Sequence, residues 1–226
     1  MLMVRMLFQT AALLVVLALV LFWPAGTLAW PAGWAFISEM GVFSLALGSW
    51  LAIKDPALLA ERLGPPIAKD QKGWDRLFML AALVCVFGWF AIMGWDGGRA
   101  HRGAVPASLQ VAGAVFIALC MGVCWLTFRS NSFAAPVVKV QAGRGHRVVT
   151  DGPYAIVRHP MYAGAVAYFL GVPLLLGSWI GLAMTPALVL GLAIRAVAEE
   201  AELRASLEGY ADYAVKVRFR LVPGVW

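Results

Sequence analysis

Long, uninterrupted apolar runs constrain the fold of this chain more than any other feature. Four of them cover residues 6–23, 34–53, 77–95 and 107–128, and a fifth at 161–198 is nearly twice as long. About 20 apolar residues in a helix cross the hydrocarbon core of a bilayer, whereas membrane β-strands show alternating segments of about ten residues. Because the runs here are continuous, they predict an all-α, polytopic integral membrane protein.

The composition agrees with a bilayer environment. Of the 226 residues, 62% are hydrophobic and 13% are charged, whereas a soluble domain carries about 25% charged residues. The formal net charge is +6, and the basic residues lie in loops between the apolar runs. Because they form no basic patch interleaved with aromatic residues, we expect membrane lipids as partners and no nucleic acid.

The last apolar run, 161–198, is long enough for nearly two crossings and is broken at Gly177–Ser178. It therefore predicts a transmembrane helical hairpin after the four single spans. A final helix from Ser178 to Glu208 would be about 46 Å long, against a hydrocarbon core of about 30 Å. Its C-terminal turns should project from the membrane near Val197, with Gly209 as the C-cap. A short interfacial helix is expected after Gly209.

The distribution of Lys and Arg predicts the orientation. The loops 54–76 and 129–160 each contain five such residues, whereas 24–33 contains none and 96–106 contains two. The positive-inside rule then places both termini and the two basic loops in the cytoplasm. Within the first basic loop, the prolines bracket a short amphipathic helix, ALLAERL, which we expect on the membrane surface.

This organisation predicts two parts. Residues 1–128 form a transmembrane scaffold, and residues 129–226 form a catalytic region with a cofactor loop, the hairpin and the interfacial helix. The run 6–23 also has features of a signal peptide, but bulky Trp23 and Trp30 flank the supposed cleavage site and favour a retained helix.

Polar groups inside the spans are few. Glu39 is a functional candidate by its position in a span, although it lies close enough to the start to reach the interface. Cys120 and Cys124 are one helical turn apart with no His or acid nearby, which favours ordinary buried cysteines. The three histidines are scattered, so no metal site is predicted.

The least apolar stretch is residues 146–164, HRVVTDGPYAIVRHPMYAG. Gly152–Pro153 indicates a turn, and Pro160 suits the first turn of the following helix. The start of that helix offers free N–H groups to an anion. Tyr154 and Tyr162 can stack on a ring or cover a sulfonium cation. The stretch therefore predicts a ligand pocket at the membrane surface.

Four residues in and beyond this stretch have two interpretations each. Arg195 and Glu199 are spaced i, i+4, which favours an intrahelical salt bridge. Alternatively, the arginine clamps a substrate anion and the glutamate holds a cationic cofactor group. His146 either contacts a ligand or binds lipid headgroups, and the histidine before Pro160 is either a ligand contact or a helix cap.

Together these residues resemble the isoprenylcysteine carboxyl methyltransferase family, within the wider group that includes phospholipid N-methyltransferases. The resemblance covers residues 140–223 and rests on the spacing of H-x-V-V-x-x-G-x-Y-x-x-x-R-H-P-x-Y-x-G, then R-x-x-x-E-E-x-x-L, then a glycine and tyrosines. The motif residues are His146, Val148, Val149, Gly152, Tyr154, Arg158, His159, Pro160, Tyr162, Gly164, Arg195, Glu199, Glu200, Leu203, Gly209 and Tyr213. Asp212 departs from the family pattern.

The resemblance implies a methyltransferase that uses S-adenosyl-L-methionine without a Rossmann domain. The cofactor would enter from the cytoplasm, and a lipophilic acceptor would enter sideways from the bilayer. The most specific expectation is carboxyl O-methylation of an isoprenylcysteine-like substrate, with Arg195 and Glu199 facing the acceptor. The implied cofactor contacts are His146, Val149, Gly152, Tyr154, His159, Pro160, Tyr162 and Glu200.

Three alternatives remain. A phospholipid N-methyltransferase would need Glu199 or Glu200 to remove a proton from the amine. An NADPH-dependent sterol or steroid reductase carries a similar R-H-P-x-Y-x-G motif, and Arg144 and Arg147 could hold the 2′-phosphate. The pattern of Arg195 with the two glutamates favours a methyltransferase over this reductase. The last alternative is a non-catalytic lipid-binding membrane protein.

Overall fold

A computed structural model describes residues 1–65, 73–100, 103–136 and 142–226, and the regular secondary structure in these ranges is entirely helical. The helices, numbered in chain order, are α1 Leu2–Ala25, α2 Pro31–Lys54, α3 Pro56–Arg62, α4 Gly73–Met93, α5 Ala107–Ser130, α6 Pro160–Leu176, α7 Trp179–Ser206 and α8 Tyr210–Lys216. A π-helical segment, Gly94–Ala100, continues α4.

Five of these helices are long and apolar enough to cross a membrane: α1, α2, α4 with its π-helical extension, α5 and α7. The remaining hairpin helix, α6, is apolar but shorter, with 17 residues. The predicted all-α, multi-pass membrane fold is therefore confirmed. The loops 54–76, 96–106 and 129–160, which carry the orientation argument, each include residues outside the described ranges. The sidedness and the division at residue 128 stay predictions.

The hairpin forms where the sequence predicts it. Gly177 adopts a left-handed conformation, with φ of 74°, and ends α6. The hydroxyl of Ser178 accepts a hydrogen bond from the Gly181 N–H and so caps α7. Along its length α6 packs tightly on α5, because a Cβ on Gly171 would lie 2.6 Å from the carbonyl oxygen of Gly113.

The last long helix, α7, has 28 residues, or about 42 Å at about 1.5 Å per residue. It is longer than the apolar core of a bilayer, as predicted, and its C-terminal turns carry Arg195, Glu199 and Glu200. The prediction that Gly209 caps this helix is wrong. The helix ends at Ser206 with Leu207 as its C-cap, and Gly209, with φ of 79°, directly precedes α8.

The C-terminal tail folds back onto the stretch that precedes α6. The amides of Arg158 and His159 donate to the carbonyls of Phe219 and Arg220, at 2.9 and 3.0 Å. Beneath them lies a small apolar cluster built by α8 and the end of α7. Its buried members are Leu207, Tyr210, Tyr213 and Ala214, with Val148, Tyr154, Leu203 and Val217 packed against them. The tail therefore holds the residues that directly precede α6.

The predicted short helix in the first basic loop is confirmed as α3. Asp55 caps it by accepting a hydrogen bond from the Leu58 amide at 2.9 Å. Leu58 and Leu59 are buried in a cluster with Met6 of α1 and Phe128 of α5. This cluster fixes α3 against the bundle, so its last residue is held at a defined place.

Candidate active site

A cavity of about 300 Å³ lies where α5 ends and α6 begins. Its walls come from residues 131–136, from the stretch 146–162, from the end of α7 and from α8, with single residues from α3 and α4. Eight residues predicted from the sequence line it: His146, Val149, Tyr154, His159, Pro160, Tyr162, Arg195 and Glu199. Gly152 and Glu200 do not line it, and each has a different structural place.

Glu200 forms the buried ionic centre behind the cavity wall. Its side chain is 3% exposed. Arg158 grips it with two hydrogen bonds, from Nε to Oε1 at 2.7 Å and from Nη2 to Oε2 at 3.3 Å. His159 Nε2 and Arg220 Nε each lie 3.2 Å from the same Oε1 atom. This carboxylate therefore joins the motif stretch, α7 and the C-terminal tail.

The other side of the Arg158 guanidinium satisfies the end of α8. Its Nη1 donates to the carbonyls of Ala214, Val217 and Arg218, at 3.1, 2.9 and 3.2 Å. The carbonyls at a helix C-terminus lack intrahelical partners and favour a cation. Arg158 is therefore a structural hub rather than a group directed at a ligand.

Gly152 is required for the backbone path of the motif stretch. It has a positive φ of 57°, and a Cβ at this position would overlap the Ser130 hydroxyl at the end of α5. A side chain would therefore be strained in two ways. Gly152 shapes the turn that leads to Tyr154 and is not itself part of the cavity lining.

Glu199 is the acidic residue among the described residues that line the cavity. Its Oε2 accepts a hydrogen bond from the Tyr162 hydroxyl at 2.7 Å, and its side chain is 24% exposed. The Tyr162 ring stacks on the His159 imidazole with an interplanar angle of 4°. Three motif residues thus place one carboxylate beside two aromatic faces, which is an arrangement that suits a cationic group.

Arg195 pairs with an acid that the sequence analysis missed. Its Nη2 lies 3.0 Å from Oδ1 of Asp75, a fully buried residue in the first turns of α4, and also donates to the Pro136 carbonyl at 2.9 Å. The prediction of a salt bridge to Glu199 is wrong. A buried carboxylate needs a cation more than the partly exposed Glu199 does.

Asp75 was missed in the sequence because the start of α4 was placed too late. The predicted span begins at residue 77, which put Asp75 in a loop, whereas α4 begins at Gly73. A lone acid within the first turn of an apolar helix, level with a lone arginine near the end of another, was the pattern that could have found it.

A neutral aromatic wall completes the cavity. His146 stacks on Phe133 with ring centroids 4.6 Å apart. Tyr154 accepts a hydrogen bond at its hydroxyl from Asn131 at 2.8 Å, and its carbonyl accepts one from Tyr213 at 2.8 Å. Burial, helped by the charge of Arg144, lowers the pKa of His146. Burial raises the pKa of Tyr154 to about 12. Both rings are therefore uncharged at neutral pH.

The donor set fits S-adenosylmethionine in kind and in size. Flat neutral rings can stack on an adenine, the Glu199 carboxylate can face a sulfonium or ammonium group, and arginines can meet a carboxylate. The volume falls in the range of small-molecule sites. Among the residues that the structure describes, no cluster of three His, Cys, Asp or Glu side chains is close enough to hold a metal ion.

Comparison with known proteins points to the same chemistry. Residues 109–207 match a family model described as phospholipid methyltransferase. The chain is also 43% identical over 44 residues to a protein-S-isoprenylcysteine O-methyltransferase of Schizosaccharomyces pombe, a match that covers 20% of this chain and 19% of that protein. The family match includes every site residue predicted from the sequence. The predicted resemblance to the isoprenylcysteine carboxyl methyltransferases, and to the wider group with phospholipid methyltransferases, is therefore confirmed.

Proposed function

We propose that this protein is an integral membrane methyltransferase that uses S-adenosylmethionine and methylates the carboxylate of a lipophilic, isoprenylcysteine-like acceptor. The observation that carries this proposal is one cavity in which Glu199 and Arg195 face the same space, next to the aromatic wall of the motif stretch. It is supported by the similarity to two methyltransferase groups.

When bound, the cofactor supplies an electrophilic methyl group on a sulfonium. The chain's own residues hold and orient it. His146, Tyr154 and Tyr162 supply ring faces, and Val149 and Pro160 supply apolar contact. Glu199, anchored by Tyr162, favours the positive charge. Glu200 acts from behind the wall, because its hydrogen bond with His159 fixes the imidazole that supports the Tyr162 ring.

A carboxylate acceptor suits a cavity whose described lining contains a single carboxylate, that of Glu199. A carboxylic acid with a pKa of about 4 is already ionised at neutral pH, so methylation needs positioning rather than proton removal. Arg195 lines the same cavity and would orient the carboxylate of the acceptor. Since Asp75 offsets part of its charge, Arg195 would act as an oriented hydrogen-bond donor and would not attract anions without selectivity.

A phospholipid amine is the second candidate acceptor, favoured by the description of the matching family model. An amine must lose a proton before or during transfer. Glu199 would serve as the acceptor of that proton, because it lines the cavity and is partly exposed, whereas Glu200 is enclosed by Arg158, Arg220 and His159.

The experiment that tests this proposal combines binding and transfer. Calorimetry on the purified protein should show micromolar or tighter binding of S-adenosylhomocysteine. A labelled-methyl assay should then give product with an isoprenylcysteine carboxylate and none with phosphatidylethanolamine. Methylation of the lipid amine alone would select the second candidate. Binding of NADPH without S-adenosylhomocysteine would refute both and indicate a reductase.

We also propose that both termini and the cavity face the cytoplasm, as the basic loops predict. A protease site placed after Trp226 provides the measurement. It should be cut in inside-out vesicles and protected in right-side-out vesicles, and the reverse pattern would overturn the orientation.

A further inference from the structure

Arg62 reaches the cavity from outside the segment that matches the methyltransferase family. It is the last residue of α3, is half-buried, and lines the cavity. The burial of Leu58 and Leu59 beneath α3 fixes its backbone. Its guanidinium is therefore a built part of the cavity and not a mobile surface group.

Among the residues that the structure describes, the contacts of Arg62 include no carboxylate. Its Nη1 donates to the Ala134 carbonyl at 2.9 Å, and its guanidinium carbon lies 4.3 Å above the Phe128 ring. In the described part of the chain no carboxylate pairs with it. The other enclosed arginines of the site all have such a partner: Arg158 and Arg220 pair with Glu200, and Arg195 pairs with Asp75.

A guanidinium without a counter-charge is unfavourable when the side chain is half-buried, as Arg62 is. Burial lowers the pKa of Arg62, and the groups that oppose this effect are Cys124 and Tyr154, not an acid. A guanidinium stays protonated in proteins, so the charge persists. An anion brought into the cavity by a ligand would relieve the cost.

We infer that Arg62 binds the carboxylate of the methionine part of the cofactor. This inference rests on the proposed function and assigns one end of the cofactor within it. The cavity suits a zwitterion, because Arg62 and Glu199 both line it and carry opposite charges. A cationic centre near Glu199 and a carboxylate at Arg62 would match both charges. Arg195, already paired with Asp75, is left for the acceptor.

The test compares two ligands that differ in the amino-acid part. S-adenosylhomocysteine carries the carboxylate, and 5′-methylthioadenosine keeps the nucleoside and thioether without it. Calorimetry is done without acceptor on the wild type, Arg62→Met and Arg129→Met. Arg62→Met should lower the affinity for S-adenosylhomocysteine by about 10- to 100-fold and leave the affinity for 5′-methylthioadenosine unchanged. The control Arg129, exposed and placed over Trp125, should leave both affinities unchanged.

The outcomes separate the inference from the function on which it rests. If Arg62→Met lowers the affinity for both ligands equally, Arg62 shapes the cavity and the inference is wrong. If it leaves both affinities unchanged and raises the KM for the lipid acceptor, the anion at Arg62 belongs to the acceptor, and the inference is again wrong. If the wild type itself binds no S-adenosylhomocysteine, the proposed function fails. Partial recovery by Arg62→Lys would support a charge contact that also uses the guanidinium fork.

Discussion

The ion pair between Asp75 and Arg195 offers the sharpest test of how the acceptor side is built. The substitution Asp75→Asn keeps the size of the side chain and removes its charge. Because Asp75 is fully buried and its carboxylate lies 3.0 Å from the Arg195 guanidinium, the change leaves a cation without its partner. Breaking a buried pair from one side costs about 3 to 5 kcal/mol of stability. Since Arg195 retains the Pro136 carbonyl and faces the cavity, we expect the lower part of this range.

The functional effect should be larger on turnover than on cofactor binding. Without Asp75 the guanidinium loses one of its two anchors, and a displacement of about 1 Å in a positioning group can cost about 100-fold in rate. The rings of His146, Tyr154 and Tyr162 are carried by residues 146–162 and not by α4, so the affinity for S-adenosylhomocysteine should fall by less than about threefold.

Thermal unfolding in detergent, a methyl-transfer assay and calorimetry together measure these effects. The matched control is Asp212→Asn, the same substitution at an exposed position of α8, which should change none of the three. An Asp75→Asn variant with wild-type kcat would refute the positioning role. An equal loss of kcat and of cofactor affinity would show that Asp75 supports the whole cavity.

Three further predictions follow from the geometry. Arg195→Ala should abolish turnover and retain S-adenosylhomocysteine binding, and calorimetry showing equal loss of both would mean that Arg195 holds the cofactor. Arg158→Met should lower the free energy of unfolding by about 3 kcal/mol or more, measured by thermal unfolding, because Glu200 and the end of α8 lose their shared partner; an unchanged melting temperature would contradict this. The lowered pKa of His146 means that the folded state favours the neutral imidazole. Stability and cofactor affinity should therefore be level above its ordinary pKa of about 6.5 and fall at lower pH, and His146→Gln should remove its part of that fall in a pH titration.

The sequence alone predicted the helices and eight of the residues that line the cavity, for reasons that are local. An apolar run long enough to cross a bilayer has one stable form there, a helix, because hydrocarbon offers no partner for an unpaired backbone group. The breaks at Gly177 and Pro160 are also local, since each follows from the backbone angles of a single residue. These constraints act within a few residues, so the amino-acid sequence alone is sufficient to predict the helices and their ends.

Only the tertiary structure decided how the charged groups pair. The i, i+4 spacing of Arg195 and Glu199 describes what is near along one helix, but it carries no information about burial. In the folded chain, Asp75 of α4 is buried away from water and pairs with Arg195. Glu199 lines the cavity and accepts a hydrogen bond from Tyr162 instead. The same holds for Arg62, whose place at the cavity depends on how α3 packs against α1 and α5. Which ionic groups pair depends on the cost of burying each charge, and the burial of a side chain is set by the whole fold.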